Sequence, residues 1–257
     1  MNAAPVGFFD SGVGGVCILD AFKAACPFES TVYIADSANC PYGGKSRDEV
    51  LRLSRMHSAR LRAEWGCKMV VVACNTATAA AIDELRLESP DFPYVGIEPA
   101  VKPAALNSRT GVVGVLATEG TFNGRLYRET KEKFAKDVTV IATVADEFVE
   151  MVEKGETSGD AAEAKVRARI EPLLASGCDS IVLGCTHFPH LKHLIEKVAV
   201  GRAAVIDPSE AVARRAKAVL EERGLAAPLG SKPSHVFVRQ KAFPPASRFQ
   251  AQSRAST

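Results

Sequence analysis

Gly66-Cys67-Lys68-Met69-Val70-Val71-Val72-Ala73-Cys74-Asn75-Thr76 is the stretch that decides the fold. A short apolar run rich in β-branched residues, without polar alternation, is the pattern of a strand buried on both faces. It ends in a thiol and small polar residues, just ahead of a helical pattern. The same design returns 111 residues later, without a gap, as Gly177-Cys178-Asp179-Ser180-Ile181-Val182-Leu183-Gly184-Cys185-Thr186-His187. Four of the eleven positions are identical and the apolar run falls in the same place. A looser echo links Phe9-Asp10-Ser11-Gly12 to Leu116-Ala117-Thr118-Glu119-Gly120-Thr121, each a strand running into a small polar loop.

Further runs of strand length lie on either side: Val6–Phe9, Thr31–Ala35, Tyr94–Gly96, Gly111–Leu116, Val138–Ala142, Ala203–Ile206 and Val236–Val238. Helical patterns separate them over Val13–Ala25, Arg47–Trp65, Thr76–Glu88, Glu119–Lys133, Asp160–Ala175, Pro189–Val198 and Pro208–Arg223. Strands alternating with helices predict an α/β fold with mainly parallel sheets. The internal echo predicts two similar α/β domains related by a pseudo-two-fold axis, with the active site in the cleft between them. The proline-rich stretch Ile97–Pro103 suits a first crossover and Asp207-Pro208 a second. The expected domains are therefore 1–98 with 207–257, and 99–206. Arg239–Thr257, rich in Pro, Ser, Arg and Gln, reads as a loose tail.

Composition narrows the function. The chain has 257 residues, 47% hydrophobic and 24% charged, which fits one large or two smaller globular domains at about 150 residues each. A net charge of +2 is too balanced for a dedicated nucleic-acid binder. An apolar run such as Met69–Ala73 falls far short of the ~20 residues of a membrane helix. With no signal-peptide pattern and seven cysteines in no CxxC pair, a cytoplasmic chain with reduced thiols is expected.

In parallel α/β sheets, ligands gather at the carboxyl ends of the strands. Asp10, Ser11, Cys74, Asn75, Thr76, Thr118, Thr121, Cys185, Thr186 and His187 all fall there. Cys74 and Cys185 each follow a strand directly and precede a helix, where the helix N-terminus favours a thiolate. Inverting a stereocentre by proton transfer needs a base on one face and an acid on the other. A thiolate and a thiol suit those roles, because each becomes the other after the transfer.

Five stretches, in order, resemble the glutamate racemase family of the aspartate/glutamate racemase superfamily. They are Gly7-Phe8-Phe9-Asp10-Ser11-Gly12-Val13-Gly14-Gly15, Pro41-Tyr42-Gly43 with Lys45-Ser46, Ala73-Cys74-Asn75-Thr76-Ala77, Thr118-Glu119-Gly120-Thr121 and Gly184-Cys185-Thr186-His187-Phe188-Pro189. The resemblance implies cofactor-independent racemisation of glutamate, supplying D-glutamate for peptidoglycan, in a homodimer. It implies that Cys74 and Cys185 are the acid/base pair, with Asp10 and His187 as polar partners and Glu153 as the family's acidic residue near the site. Asp10, Ser11, Pro41, Tyr42, Gly43, Asn75, Thr76, Thr118, Thr121, Thr186 and His187 are the implied substrate-binding groups. The chain departs from the family at Ala145–Gly155, where Asp146 and Glu150 stand in place of two prolines.

Other readings carry less. Cys185, His187, His190 and His193 would make a cramped zinc site lacking a second Cys pair, so no metal is expected. Gly12-Val13-Gly14-Gly15 lacks the GxGxxG spacing of a dinucleotide loop and suits a tight turn into the first helix. Cys17, Cys26, Cys40, Cys67 and Cys178 are expected to be packing residues. The rival functions are another two-thiol racemase, acting on aspartate or a hydantoin, and a non-catalytic binding protein that kept the fold.

Overall fold

The computed structural model describes residues 2–134 and 137–240. The first half runs β1 (Val6–Asp10), α1 (Val16–Ala25), β2 (Thr31–Ala35), α2 (Arg47–Ala63), β3 (Met69–Val72), α3 (Asn75–Glu88) and β4 (Tyr94–Gly96). The second runs α4 (Val101–Asn107), β5 (Val112–Ala117), α5 (Glu119–Phe122), α6 (Arg125–Phe134), β6 (Thr139–Val144), α7 (Glu147–Glu153), α8 (Asp160–Ala175), β7 (Ser180–Leu183), a 3-10 turn at Phe188–Leu191, α9 (Lys192–Ala199) and β8 (Ala204–Ile206). The chain then returns through α10 (Ser209–Glu222) and β9 (His235–Arg239).

Among the described residues every strand pair is parallel. The first sheet is ordered β4-β3-β1-β2-β9 and the second β6-β5-β7-β8. Read from the other edge, the second becomes β8-β7-β5-β6, the same topology as β4-β3-β1-β2. β3 and β7, which carry the two thiols at their ends, are thus equivalent strands. β9 adds an edge strand to the first sheet, with Tyr33 paired to Phe237, and α10 packs on α1.

The central strands β1, β2, β3 and β7 are buried along their whole length, as continuous apolar runs require. The edge strands β6 and β9 alternate toward solvent. Helices close both faces of each sheet. α2 begins with an Ser46-x-x-Glu49 cap, in which the Ser46 hydroxyl accepts the Glu49 N–H at 3.2 Å. Among the described residues no helix is long and apolar enough to cross a membrane.

Four expectations change. The helix expected over Glu119–Lys133 breaks into α5 and α6 at Asn123-Gly124, because the chain approaches α3 so closely that a Cβ on Gly124 would lie 2.5 Å from that of Ala79. The helix expected from Pro189 starts as the 3-10 turn before α9. The crossover expected at Ile97–Pro103 contains α4, whose Pro103 sits in the first turn, where a missing N–H is tolerated. Arg239, expected in the tail, closes β9, and the Gln240 N–H reaches the Ala35 carbonyl at 2.8 Å. The rest of that tail, 241–257, lies outside the described residues.

Candidate active site

Cys74 follows β3 and occupies the N-cap of α3, where its sulfur accepts the Ala77 N–H at 3.4 Å. Ser11, at the end of β1, lies 3.8 Å from the same sulfur. Cys185 follows β7 in the other half, with its sulfur 3.9 Å from Nδ1 of His187. Both cysteines are buried. They are close enough for charge on Cys74 to disfavour charge on Cys185, and Asp10 acts on both.

The expected depression of the thiol pKa at a helix N-terminus is present as a contribution but is overruled. Burial pushes the Cys74 thiol up to about 12, helped by the Asp10 carboxylate and opposed by the Ala77 and Ser11 hydrogen bonds. Burial likewise lifts Cys185 well above its ordinary value, against the backbone N–H of His187. Burial thus favours the neutral thiol at both sulfurs.

Asp10 is fully buried at the end of β1. The N–H groups of Gly12 and Gly15 both reach its Oδ2 at 3.2 Å, and the Thr186 hydroxyl donates to its Oδ1 at 3.2 Å. Burial nevertheless raises its pKa, with the nearby His187 opposing. The first half thus supplies a carboxyl group whose charge acts on both thiols, and Thr186 of the second half reaches across to hold it.

Glu153 ends α7. Its Oε1 lies 2.8 Å from Nε2 of His187 and accepts the Val13 N–H at 2.8 Å. Burial pulls its pKa up, but His187, the Val13 N–H and Arg239 outweigh burial and leave it lowered. Arg239 Nη2 stands 3.6 Å from Oε2. The glycines after β1 answer to these side chains. A Cβ on Gly12 would lie 1.9 Å from Glu153 Oε1, and one on Gly14 would lie 2.5 Å from His187 Nδ1. The expected turn into the first helix is present, closed by the Val16 N–H on the Val13 carbonyl at 3.2 Å, but neither glycine has a positive φ, so it is clearance for these side chains that requires them.

Hydroxyls of Thr76, Thr118 and Thr121 form a chain between the halves, at 2.9 and 3.0 Å. Gly43 lies against Thr118 and Asp146, both on the second half. Pro41 borders a surface cavity beside Glu153. Asn75 is buried with both amide atoms unpartnered, a cost that a polar ligand would relieve. Tyr42 differs from the rest: its hydroxyl donates to Asp36 Oδ2 at 2.7 Å, so it braces the Pro41-Tyr42-Gly43 loop from behind.

That brace went unread in the sequence. Asp36 also accepts twice from Asn39 and lies 2.9 Å from Nε2 of the fully buried His57. His57 lies on the buried side of α2 and Asp36 just after β2, and nothing in the local sequence of either points to the other. The histidines considered for zinc separate: His190 Nε2 turns to Cys17 Sγ at 3.5 Å and the Gly14 carbonyl at 3.3 Å. Burial raises the pKa of Cys17 to about 11 and of Cys67 to about 12, as for packing residues.

Comparison with known proteins gives a consistent neighbourhood. Residues 17–216 match the family model described as Asp/Glu/Hydantoin racemase. A glutamate racemase of Stutzerimonas stutzeri is 45% identical over 225 residues, covering 88% of this chain and 85% of the relative. The crystal structure of glutamate racemase isoform RacE1 from Bacillus anthracis superposes with a TM-score of 0.84 at 29% identity, covering 93% of this chain and 89% of the other. Glutamate racemase from Francisella tularensis, solved in complex with D-glutamate, gives 0.81 at 28% identity, covering 95% and 90%.

Proposed function

Since the chain belongs to the Asp/Glu/hydantoin racemase family and is an amino-acid racemase, we propose that it interconverts L- and D-glutamate without a cofactor, and so supplies D-glutamate for peptidoglycan. The observation that carries this reading is the pair of buried thiols, Cys74 and Cys185, at equivalent strand ends of the two halves and within each other's electrostatic reach.

The reaction follows from that pairing. A substrate α-carbon sits between the sulfurs with its ammonium toward Asp10, whose buried carboxylate offsets the positive charge. The ammonium in turn favours a thiolate beside it, opposing the burial that keeps both sulfurs neutral in the free protein. One thiolate takes the α-proton while the opposite thiol gives a proton to the other face. One S–H bond forms, one breaks, and the negative charge moves from the first sulfur to the second. Exchange with water, or a reverse turnover, resets the pair.

The α-proton is weakly acidic, so charge developing on the substrate needs fixed donors. Ser11, Thr76, Thr118, Thr121, Thr186, Asn75 and the free N–H groups at the start of α3 supply them. Glu153 fixes the orientation of His187, which lies next to Cys185. Tyr42 holds Pro41 and Gly43 in place along the wall.

This reading includes a homodimer, a cytoplasmic location, and a division into 1–98 with 207–257 and 99–206. Purified protein incubated with L-glutamate in deuterated water, without added cofactor, is expected to yield D-glutamate carrying deuterium at the α-carbon. Absence of exchange sinks the proposal, and faster exchange of L-aspartate assayed in parallel reassigns the substrate. Sedimentation at micromolar concentration checks the dimer.

A further inference from the structure

We propose that Cys40, Glu153 and His187 form a site for a thiophilic divalent cation of the Zn2+ class, and that filling it switches the reaction off. One donor atom from each of the three lies within 4.8 Å of the other two. Cys40 comes from the loop after β2 in the first half, while Glu153 and His187 come from the second. The site therefore bridges the two halves at the edge of the cleft.

The spacing suits zinc. Tetrahedral bonds of about 2.3 Å to sulfur and about 2.0–2.1 Å to nitrogen and oxygen set donors about 3.3–3.6 Å apart. His187 and Glu153, at 2.8 Å, would separate by about half an ångström, and a pair at the 4.8 Å limit would close by about 1.2 Å.

The donor set is selective. Thiolate, imidazole and carboxylate together are zinc-type ligands, and three protein ligands leave a fourth position for water. Magnesium and calcium prefer oxygen throughout. Cys40 and Glu153 also line a cavity of about 300 Å³ with Ser37, Pro41, Val149 and Arg239, which gives an ion a path that avoids the two buried thiols. Binding releases the Cys40 proton to solvent and moves Arg239 off Glu153. This set is distinct from the histidine cluster weighed in the sequence, whose His190 is engaged elsewhere.

The consequence for activity rests on the racemase reading. A His187 nitrogen bound to the ion cannot keep its bond to Glu153, and the imidazole is drawn from its place beside Cys185. Binding itself does not depend on that reading, so the test separates the two.

Cadmium is the probe, because a cadmium–thiolate bond absorbs in the ultraviolet. In a Cys74→Ser/Cys185→Ser background the band is expected to titrate to one ion per chain. Adding Cys40→Ser should abolish it, and adding Glu153→Gln should weaken binding about tenfold or more. A band that survives Cys40→Ser, or that is missing from the double variant, overturns the site. In the otherwise wild-type enzyme, Cys40→Ser should leave basal racemisation unchanged and raise the zinc concentration for half-inhibition at least about tenfold, with chelator restoring activity. Equal zinc sensitivity of the two proteins overturns the proposed switch.

Discussion

Glu153 Oε1 holds two partners from opposite halves of the molecule: His187 Nε2 at 2.8 Å and the Val13 N–H at 2.8 Å. Glu153→Gln keeps the shape and an oxygen for Val13 but removes the charge facing the imidazole. Turnover is expected to fall about tenfold or more, the lower range for weakening acid–base catalysis. Racemisation has an equilibrium constant of one, so kcat/KM must fall equally from either enantiomer. The asymmetry should appear in the α-deuterium isotope effects, with the direction that uses Cys185 as base changing more. Equal changes in both directions would remove His187 from the path to Cys185.

Cys74→Ser and Cys185→Ser should each reduce racemisation by ~100-fold or more, the scale of losing a general acid or base. Full activity in either variant, measured by circular dichroism of the product mixture, would overturn the role of that sulfur.

Because burial pushes Cys74 up to about 12, its reaction with iodoacetamide in the free protein should rise about tenfold per pH unit through pH 7 to 9 without a plateau. Peptide mass spectrometry reads the site directly. A plateau below pH 8 would show a resident thiolate and contradict the neutral resting state.

Gly14→Ala forces a methyl group into the His187 ring, whereas Gly44 has nothing within 4 Å of a Cβ. The first substitution should cut turnover about 100-fold with circular dichroism of the fold retained, and the second should leave turnover unchanged. An active Gly14→Ala would mean the imidazole position is immaterial.

Asp36 has its pKa lowered: burial raises it, but His57, Tyr42 and Asn39 outweigh burial. A depressed carboxylate contributes stability above its ordinary value of 3.8, and that contribution is lost as pH falls through the lower folded value. Asp36→Asn should lower Tm by about 3–10 °C at pH 7, with the gap narrowing below pH 3.8. A gap that widens in acid would reverse the sign argued here.

The strands were legible because burial on both faces leaves an uninterrupted apolar run, as at Met69–Val72 and Ser180–Leu183. The repeated strand-then-thiol design placed Cys74 and Cys185 at matching ends. Tertiary contacts hid the rest. The break at Gly124 answers to Ala79, and the open space at Gly12 and Gly14 answers to Glu153 and His187, residues more than a hundred positions away. The Asp36–His57–Tyr42 brace is assembled from a strand end, a helix and a loop, and no local pattern encodes it.

The shared strand order of the two sheets also carries a historical implication. A half-length ancestor with a single cysteine after its third strand would, on self-association about a true dyad, already have confronted one small molecule with two sulfurs. Fusion of two copies frees each sulfur to diverge, and here one caps a 14-residue helix while the other precedes a 3-10 turn. Left- and right-handed amino acids would then meet unlike surroundings in a pocket whose two walls derive from a rotationally related pair.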